Sequence, residues 1–312
     1  MKKIMIGCTL LLLFYVGLIG CSASNEQSVT KSNENSSPIE SEGIVDSEHE
    51  EEYRIISTTV ALTEILDALE LNLVGIPTSY KELPERYKGV TEIGNTKTPD
   101  MEMVRWLQPT DILAVSTLEY ELKPLFEEVG IAATFINLET LDGMLNSIRE
   151  LGTKFNRTEQ ADRIINKMNK KVSDIQREVE GKEAPTVLIL LGIPGSYLVA
   201  TEHSYIGDLV RICGGVNVIQ GENVEYLSSN TEYLQQANPD IILRAAHGMP
   251  KEVIEMFDRE FKVNDIWKHF DAVNNGRVYD LDELFFPTTG NLATTEALDQ
   301  LMEMLYGDVK HE

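Results

Sequence analysis

From residue 53 the chain alternates short apolar runs with stretches of helical periodicity. Arg54-Ile-Ile-Ser57 predicts a strand, and Val60 to Leu69 predicts an amphipathic helix entered through Thr58 or Thr59. Leu73-Val-Gly-Ile76 predicts the next strand, Met101 to Leu107 a helix, Asp111 to Val115 a buried strand and Leu122 to Glu128 another helix. Thr98-Pro99 reads as a start signal for the Met101–Leu107 helix, because proline fits a first helical turn. Strands that alternate with helices pair in parallel, which implies a small, mostly parallel sheet covered by helices. After Asn156 the period changes. Apolar residues at Ala161, Ile164, Ile165, Met168, Val172, Ile175 and Val179 keep helical spacing to about Glu180, with no Gly or Pro from Thr158 on. Such a helix is roughly 30 Å long. Thr186-Val-Leu-Ile-Leu-Leu191 then opens a second alternating region. The pattern therefore implies an α/β chain: two Rossmann-like lobes, residues 53–157 and 182–312, joined by one long rigid helix at 158–181. The length is enough for each lobe to have its own core.

The first 52 residues change the picture of where this fold works. Lys2 and Lys3 precede the apolar stretch Ile4 to Gly20, the layout of a secretory signal. Leu18-Ile19-Gly20-Cys21 is the lipoprotein form of the cleavage site, so residues 1–20 are expected to leave and Cys21 to carry the lipid. A membrane-spanning helix is the alternative, but a polar tail follows with no basic stop-transfer cluster. Residues 21–52, rich in Ser, Asn and Glu, read as a disordered acidic tether. The chain is thus expected on the extracellular face of the cell membrane, lipid-anchored in the Gram-positive manner. The net charge of −24 argues against nucleic acid, whose binding needs Lys and Arg against phosphates. Cys8 leaves with the signal, so Cys213 is the sole cysteine of the folded part. It reads as a small buried hydrophobe.

Candidate chemistry is sparse. His247 follows the apolar run Pro239–Leu243 and precedes Gly248-Met249-Pro250, which puts an imidazole at a strand end. Ligands of open α/β sheets collect there, and imidazole is a metal and haem-iron ligand. The other reading is a hydrogen-bonded loop residue. Thr59-Val60-Ala61 lies where a strand meets a helix start, whose free amides attract anions, and Ser79-Tyr80 forms a second donor turn. Tyr197, after Pro194-Gly195, either walls a ligand face or packs as an ordinary aromatic. Glu102 and Glu232 each lie seven residues before a proline, in two segments that echo each other. They form either a symmetric pair of docking knobs for a two-subunit partner or first-turn acids favoured by the helix dipole. No nucleophile–base pair, no phosphate loop and no His-x-x-His pair is present among the five His, so an enzyme is not expected.

An exported lipoprotein with two α/β lobes on one long helix resembles the single-helix class of substrate-binding proteins of ABC importers. Segments Arg54–Leu62, Gly75–Tyr80, Pro194–Thr201, Ser204–Val210, Ser228–Glu232, His247–Pro250 and Asn264–Phe270 are similar to the IsdE-type haem-receptor lipoproteins, over about Tyr53 to Tyr306. The resemblance implies capture of one haem b per chain in an interlobe cleft and delivery to an ABC permease dimer for iron acquisition. It also allows upstream cell-wall haem-binding proteins as partners. It implies His247 as an axial iron ligand, propionates at the amides of Val60 and Ala61 with Ser79 and Tyr80 nearby, and permease docking through Glu102 and Glu232. The family's second axial ligand is a Met after a Glu-Ile-Gly segment. Here Glu92-Ile-Gly94 is followed by Lys97 at that position, and a lysine amine ligates only when neutral, far from its ordinary pKa near 10.4. The sixth site is then empty, or taken by Met101 or Met103 through a local shift. Within the class, the alternative cargo is an iron-siderophore or cobalamin, for which Arg244 is the basic residue nearest His247.

Overall fold

The computed structural model describes residues 53–228, 234 and 237–307. The expected signal (1–20), Cys21, the acidic tether (21–52) and Glu232 lie outside the described residues. The first lobe runs β1 (Ile55–Ser57), α1 (Val60–Ala68), β2 (Leu73–Ile76), β3 (Thr91–Glu92) and the hairpin β4 (Gly94–Asn95) and β5 (Thr98–Pro99). It continues through α2 (Met101–Trp106), β6 (Asp111–Val115), α3 (Glu119–Glu128), β7 (Ala133–Ile136) and α4 (Leu141–Lys154). Its main sheet has the order β3-β2-β1-β6-β7, and every pairing in it is parallel. Connections leave β1 and β6 toward opposite edges, so a crevice opens beyond the carboxyl ends of these two strands.

The connector α5 (Thr158–Val179) leads into β8 (Thr186–Ile193), β9 (Ser196–Ala200), α6 (Tyr205–Ile212), β10 (Val216–Asn217) and β11 (Tyr226–Ser228). β12 (Ile241–Ala246), α7 (Pro250–Val263), α8 (Asp271–Asn274), β13 (Val278–Leu281) and α9 (Thr294–Tyr306) complete the second lobe. Its sheet has the order β11-β9-β8-β12-β13, with β10 also on β8. β8, β10, β12 and β13 pair in parallel, whereas β9 runs antiparallel to β8 and β11. Both lobes are thus α/β with mostly parallel sheets.

One helix cap and one helix start differ from expectation. α2 begins at Met101 as expected, but Asp100, not Pro99, caps it: its carboxylate accepts from the amides of Glu102 and Met103, both at 3.0 Å, while Pro99 pairs with Gly94 in the hairpin. α3 begins at Glu119 because its first turn, Glu-Tyr-Glu, is polar and leaves no apolar period to read.

The expectation of one core per lobe is also corrected. A single continuous core takes in Ile55, Leu113 and Val115 of the first sheet, Ala161, Ile165, Met168 and Ile175 of α5, and Val187, Ile189, Leu191, Ile241 and Leu243 of the second sheet. The reason is strand alternation. Leu188, Leu190 and Ile242 point the other way, into a satellite cluster with Phe257 and Trp267, and Ile56, Ile112 and Ala114 do the same beneath α2 and α3. Each buried Leu or Ile contributes about 1.5–3 kcal/mol. Of the ion pairs from α5 to α9, Lys167–Glu296 is exposed and Lys171–Asp299 is exposed at its aspartate, and each adds at most about 1 kcal/mol. The shared apolar face, not charge, fixes the lobes on the connector.

Candidate functional site

The crevice beyond β1 and β6 is a cavity of about 490 Å³, lined by Thr59, Val60 and Ala61, by Ser79 and Tyr80, by Lys97, and across the cleft by Glu283, Leu284 and Asn291. A second cavity of about 630 Å³ shares Glu64, Lys81, Glu283 and Leu284 with it and reaches Pro250 and Ile254 of α7. Together they form one cleft between the lobes.

The first-lobe wall offers backbone and hydroxyl donors, with the charged side chains of Glu64, Lys81 and Lys97 around them. Thr59, extended at φ −136°, caps α1 by accepting from the Leu62 amide at 3.2 Å. That leaves the amides of Val60 and Ala61 at the helix start without an intrahelical partner, on residues that line the cavity. Buried hydroxyls brace the turn: the Thr63 hydroxyl donates to the Thr59 carbonyl at 2.8 Å and lies 2.9 Å from Ser57 Oγ, and Thr58 donates to the Leu113 carbonyl at 3.2 Å. Ser79 Oγ accepts from the Lys81 amide at 2.9 Å and so shapes the second donor turn.

The second-lobe wall is lined by Glu283, Leu284, Asn291, Pro250 and Ile254, and His247 lies outside that lining, one residue before Gly248, whose amide meets Glu283. The His247 amide donates to the Gly192 carbonyl at 2.9 Å and extends the β12–β8 ladder by one rung. Gly248 (φ +72°) and Met249 (φ +48°) then turn the chain through the left-handed region into Pro250, the first residue of α7. α7 sits so close to β8 that a Cβ on Gly192 would lie 2.3 Å from Val253 Cγ1. The imidazole remains open at the cleft mouth, yet the surrounding lobe atoms desolvate it and lower its pKa below the usual 6.5. The Glu283 carboxylate opposes that shift, and the Lys97 and Lys81 charges add to it. A neutral ring with a free lone pair is the form that binds a metal.

One carboxylate spans the walls. Glu283, 11 % exposed, accepts from Tyr80 Oη at 3.0 Å, lies 3.5 Å from Lys81 Nζ, and accepts weakly from the Gly248 amide at 3.3 Å. Neither Lys81 nor Glu283 stood out in the sequence. Lys81 directly follows the Ser79-Tyr80 turn, which was a signal. Glu283, within the acidic run Asp280–Glu283 of a chain with 51 acids, gave none.

The structure thus brings Val60, Ala61, Ser79, Tyr80 and Lys97 to one cavity, whereas His247 lines neither cavity and is tied to the cleft through its neighbour Gly248, which donates to Glu283. Lys97 stands at the tip of the two-residue turn between β4 and β5, where Asn95 Oδ1 accepts from the amides of Lys97 and Thr98, both at 3.0 Å. Met101 and Met103 pack against the Ile56, Ile93 and Val104 cluster on the far face of the first sheet. Tyr197 belongs to packing, not to the cleft: its ring meets Phe257 at 5.9 Å and Trp267 at 6.3 Å, because β9 turns it toward α7. Arg244 is likewise turned away, paired with both Asp280 oxygens at 2.7 and 2.6 Å and lying over Phe257 and Phe261. Glu102 is exposed at the start of α2. Cys213 is buried, and desolvation pushes its thiol up to about 12. No described helix is long and apolar enough to cross a membrane.

Comparison with known proteins agrees with this geometry. Residues 55–284 match the periplasmic binding protein family. The chain is 48% identical to the high-affinity haem uptake system protein IsdE of Staphylococcus aureus (strain bovine RF122 / ET3-1), over 97% of this chain and 98% of that one. The crystal structure of S. aureus IsdE complexed with haem superposes with a TM-score of 0.79 at 51% identity, covering 82% of this chain and 99% of that one. An ABC transporter substrate-binding protein from Listeria monocytogenes EGD-e superposes with a TM-score of 0.78 at 54% identity, covering 82% and 99%. The chain belongs to the periplasmic binding protein family and, within it, to the group of the IsdE haem-uptake proteins.

Proposed function

We propose that this chain is a haem receptor, held at the outer face of the cell membrane, that captures haem in the interlobe cleft and delivers it to an ABC permease. The observation that carries the reading is one cleft with two complementary walls. His247 stands on one side, one residue before the Gly248 amide that meets Glu283 of the lining, and the unpaired helix-start amides of Val60 and Ala61 stand on the other. A flat apolar macrocycle with iron at its centre and two carboxylates at one edge needs both. His247 supplies an axial nitrogen to the iron. The amides of Val60 and Ala61, the Ser79-Tyr80 turn and the Lys81 ammonium hold the propionates. The cargo is one haem b per chain, bound without covalent attachment, and the protein binds without transforming it. The relatives named for haem uptake support that cargo. Arg244, the group that would grip an anionic siderophore, is already occupied by Asp280.

Cys21 carries the lipid and residues 21–52 lend reach, so that cell-wall haem-binding proteins upstream can load the cleft. The folded part divides at 53–157, 158–181 and 182–312. Glu102 and Glu232 dock the lobes on the permease dimer, and Glu102→Lys with Glu232→Lys is expected to abolish haem uptake by cells while purified protein still takes up haem. The decisive experiment is the absorption spectrum with haemin of the fragment from residue 53, since the chain from Glu51 onward is a compact unit of its own. A sharp Soret band that His247→Ala abolishes is expected. The absence of a specific band in the unmutated fragment overturns the haem reading.

A further inference from the structure

The two walls of the cleft offer a metal unequal things. His247 brings an imidazole from the second lobe. On the first-lobe side, the residues that line the cavity include no histidine, cysteine or methionine. Met101 and Met103 are packed into the far-face cluster, and the Tyr80 hydroxyl donates to Glu283. The charged groups left on that side are Glu64, Lys81, which is paired with Glu283, and Lys97, which has Asn95 and Thr96 beside it in the same lining. The Asn95 side chain pins the turn that carries it, so the position of Lys97 is set by the hairpin. Its charge reaches the His247 ring across the cleft.

We propose that in the haem-loaded protein the iron keeps a single protein ligand, His247, and that its second face is a binding site for a small exogenous anion held by Lys97. The inference rests on the haem reading above. A lysine ammonium carries three N–H donors and no lone pair, so Lys97 does not compete for the metal and instead stabilises an anion that does. Ferric porphyrin keeps one net positive charge at its centre, which an anion such as fluoride or azide neutralises. One iron–anion bond forms, the weakly held water leaves, and no electron or proton changes hands. Charge-assisted hydrogen bonds of this type are roughly twice as strong as neutral ones. An anion therefore gains a second anchor that the open solvent side of the cleft cannot supply.

The test is fluoride titration of the purified haem-loaded protein beside Lys97→Ala and Lys97→Arg, all at saturating haem, followed by absorption and electron paramagnetic resonance. A high-spin ferric spectrum is expected. Fluoride should bind saturably, about tenfold more weakly in Lys97→Ala and with near-original affinity in Lys97→Arg. A low-spin spectrum that fluoride leaves unchanged overturns the proposal, as does equal fluoride affinity in the original protein and Lys97→Ala. If the original protein gives no Soret band, the haem reading falls and this site falls with it, an outcome distinct from the other two.

Discussion

The two walls of the cleft solve the same recognition problem with different materials. The first-lobe wall is mostly main chain: a strand end, a capped helix start and a hydroxyl turn, all placed by the point where the sheet order reverses. The second-lobe wall depends on two side chains, His247 and Glu283, carried on segments outside regular structure. Main-chain donors survive every substitution except proline. Side-chain ligands are each one mutation from absence. The helix start at Val60 and Ala61 should therefore tolerate most changes of residue type, and the second wall almost none.

The sharpest break of that contrast is His247→Ala. It should lower haem affinity, read from Soret titration, by more than the roughly 100-fold that loss of an outer partner of a metal ligand costs. Gly192→Ala attacks the seat beneath the same residue by forcing β8 from α7. Unfolding free energy should fall by about 1–3 kcal/mol, and an unchanged denaturation midpoint would show that α7 yields without cost. Val60→Pro probes the other wall by deleting one amide while sparing the helix. Proline fits the first helical position, and Thr59 is already extended, as a residue before proline must be. Haem affinity should drop about tenfold at unchanged thermal midpoint, with a smaller change for Val60→Ala, which keeps the amide. Equal affinities in the two variants would place the propionates elsewhere.

The smallest effect concerns pH. Burial lowers the His247 pKa, so the ring takes up protons less readily folded than unfolded. Its contribution to stability is complete above about pH 6.5 and is lost as pH falls through the folded value. Haem affinity should follow the same direction, since only the neutral ring ligates. Glu283→Gln removes the carboxylate that opposes the shift, so the acid midpoint of haem release should move lower still. A midpoint that rises instead would mean that Glu283 acts on the ring in some way other than its charge.

Much of the first wall was legible because it is made of pattern. Two threonines ahead of an apolar period announce a capped helix start, and the stripe from Ala161 to Val179 announces the connector. Cys213 reads as buried, and it is. Face was harder to read than element. Arg244 lies in a strand that its apolar run locates and Tyr197 in β9, which the sequence reading did not place, and period-2 alternation does not say which side holds the cleft and which holds α7. Glu283 was invisible for another reason: its role arises only where a loop after β13 meets Tyr80 and Lys81, some two hundred residues earlier.

The continuous core along α5 sets a limit on how this molecule can let go. Lobes that share their interior cannot swing apart without opening that interior to water, so the cleft has no cheap open state in which cargo falls out. Loading and unloading then use the same narrow opening, and the rate of release is set by how tightly the walls hold the cargo, not by the swing of a hinge.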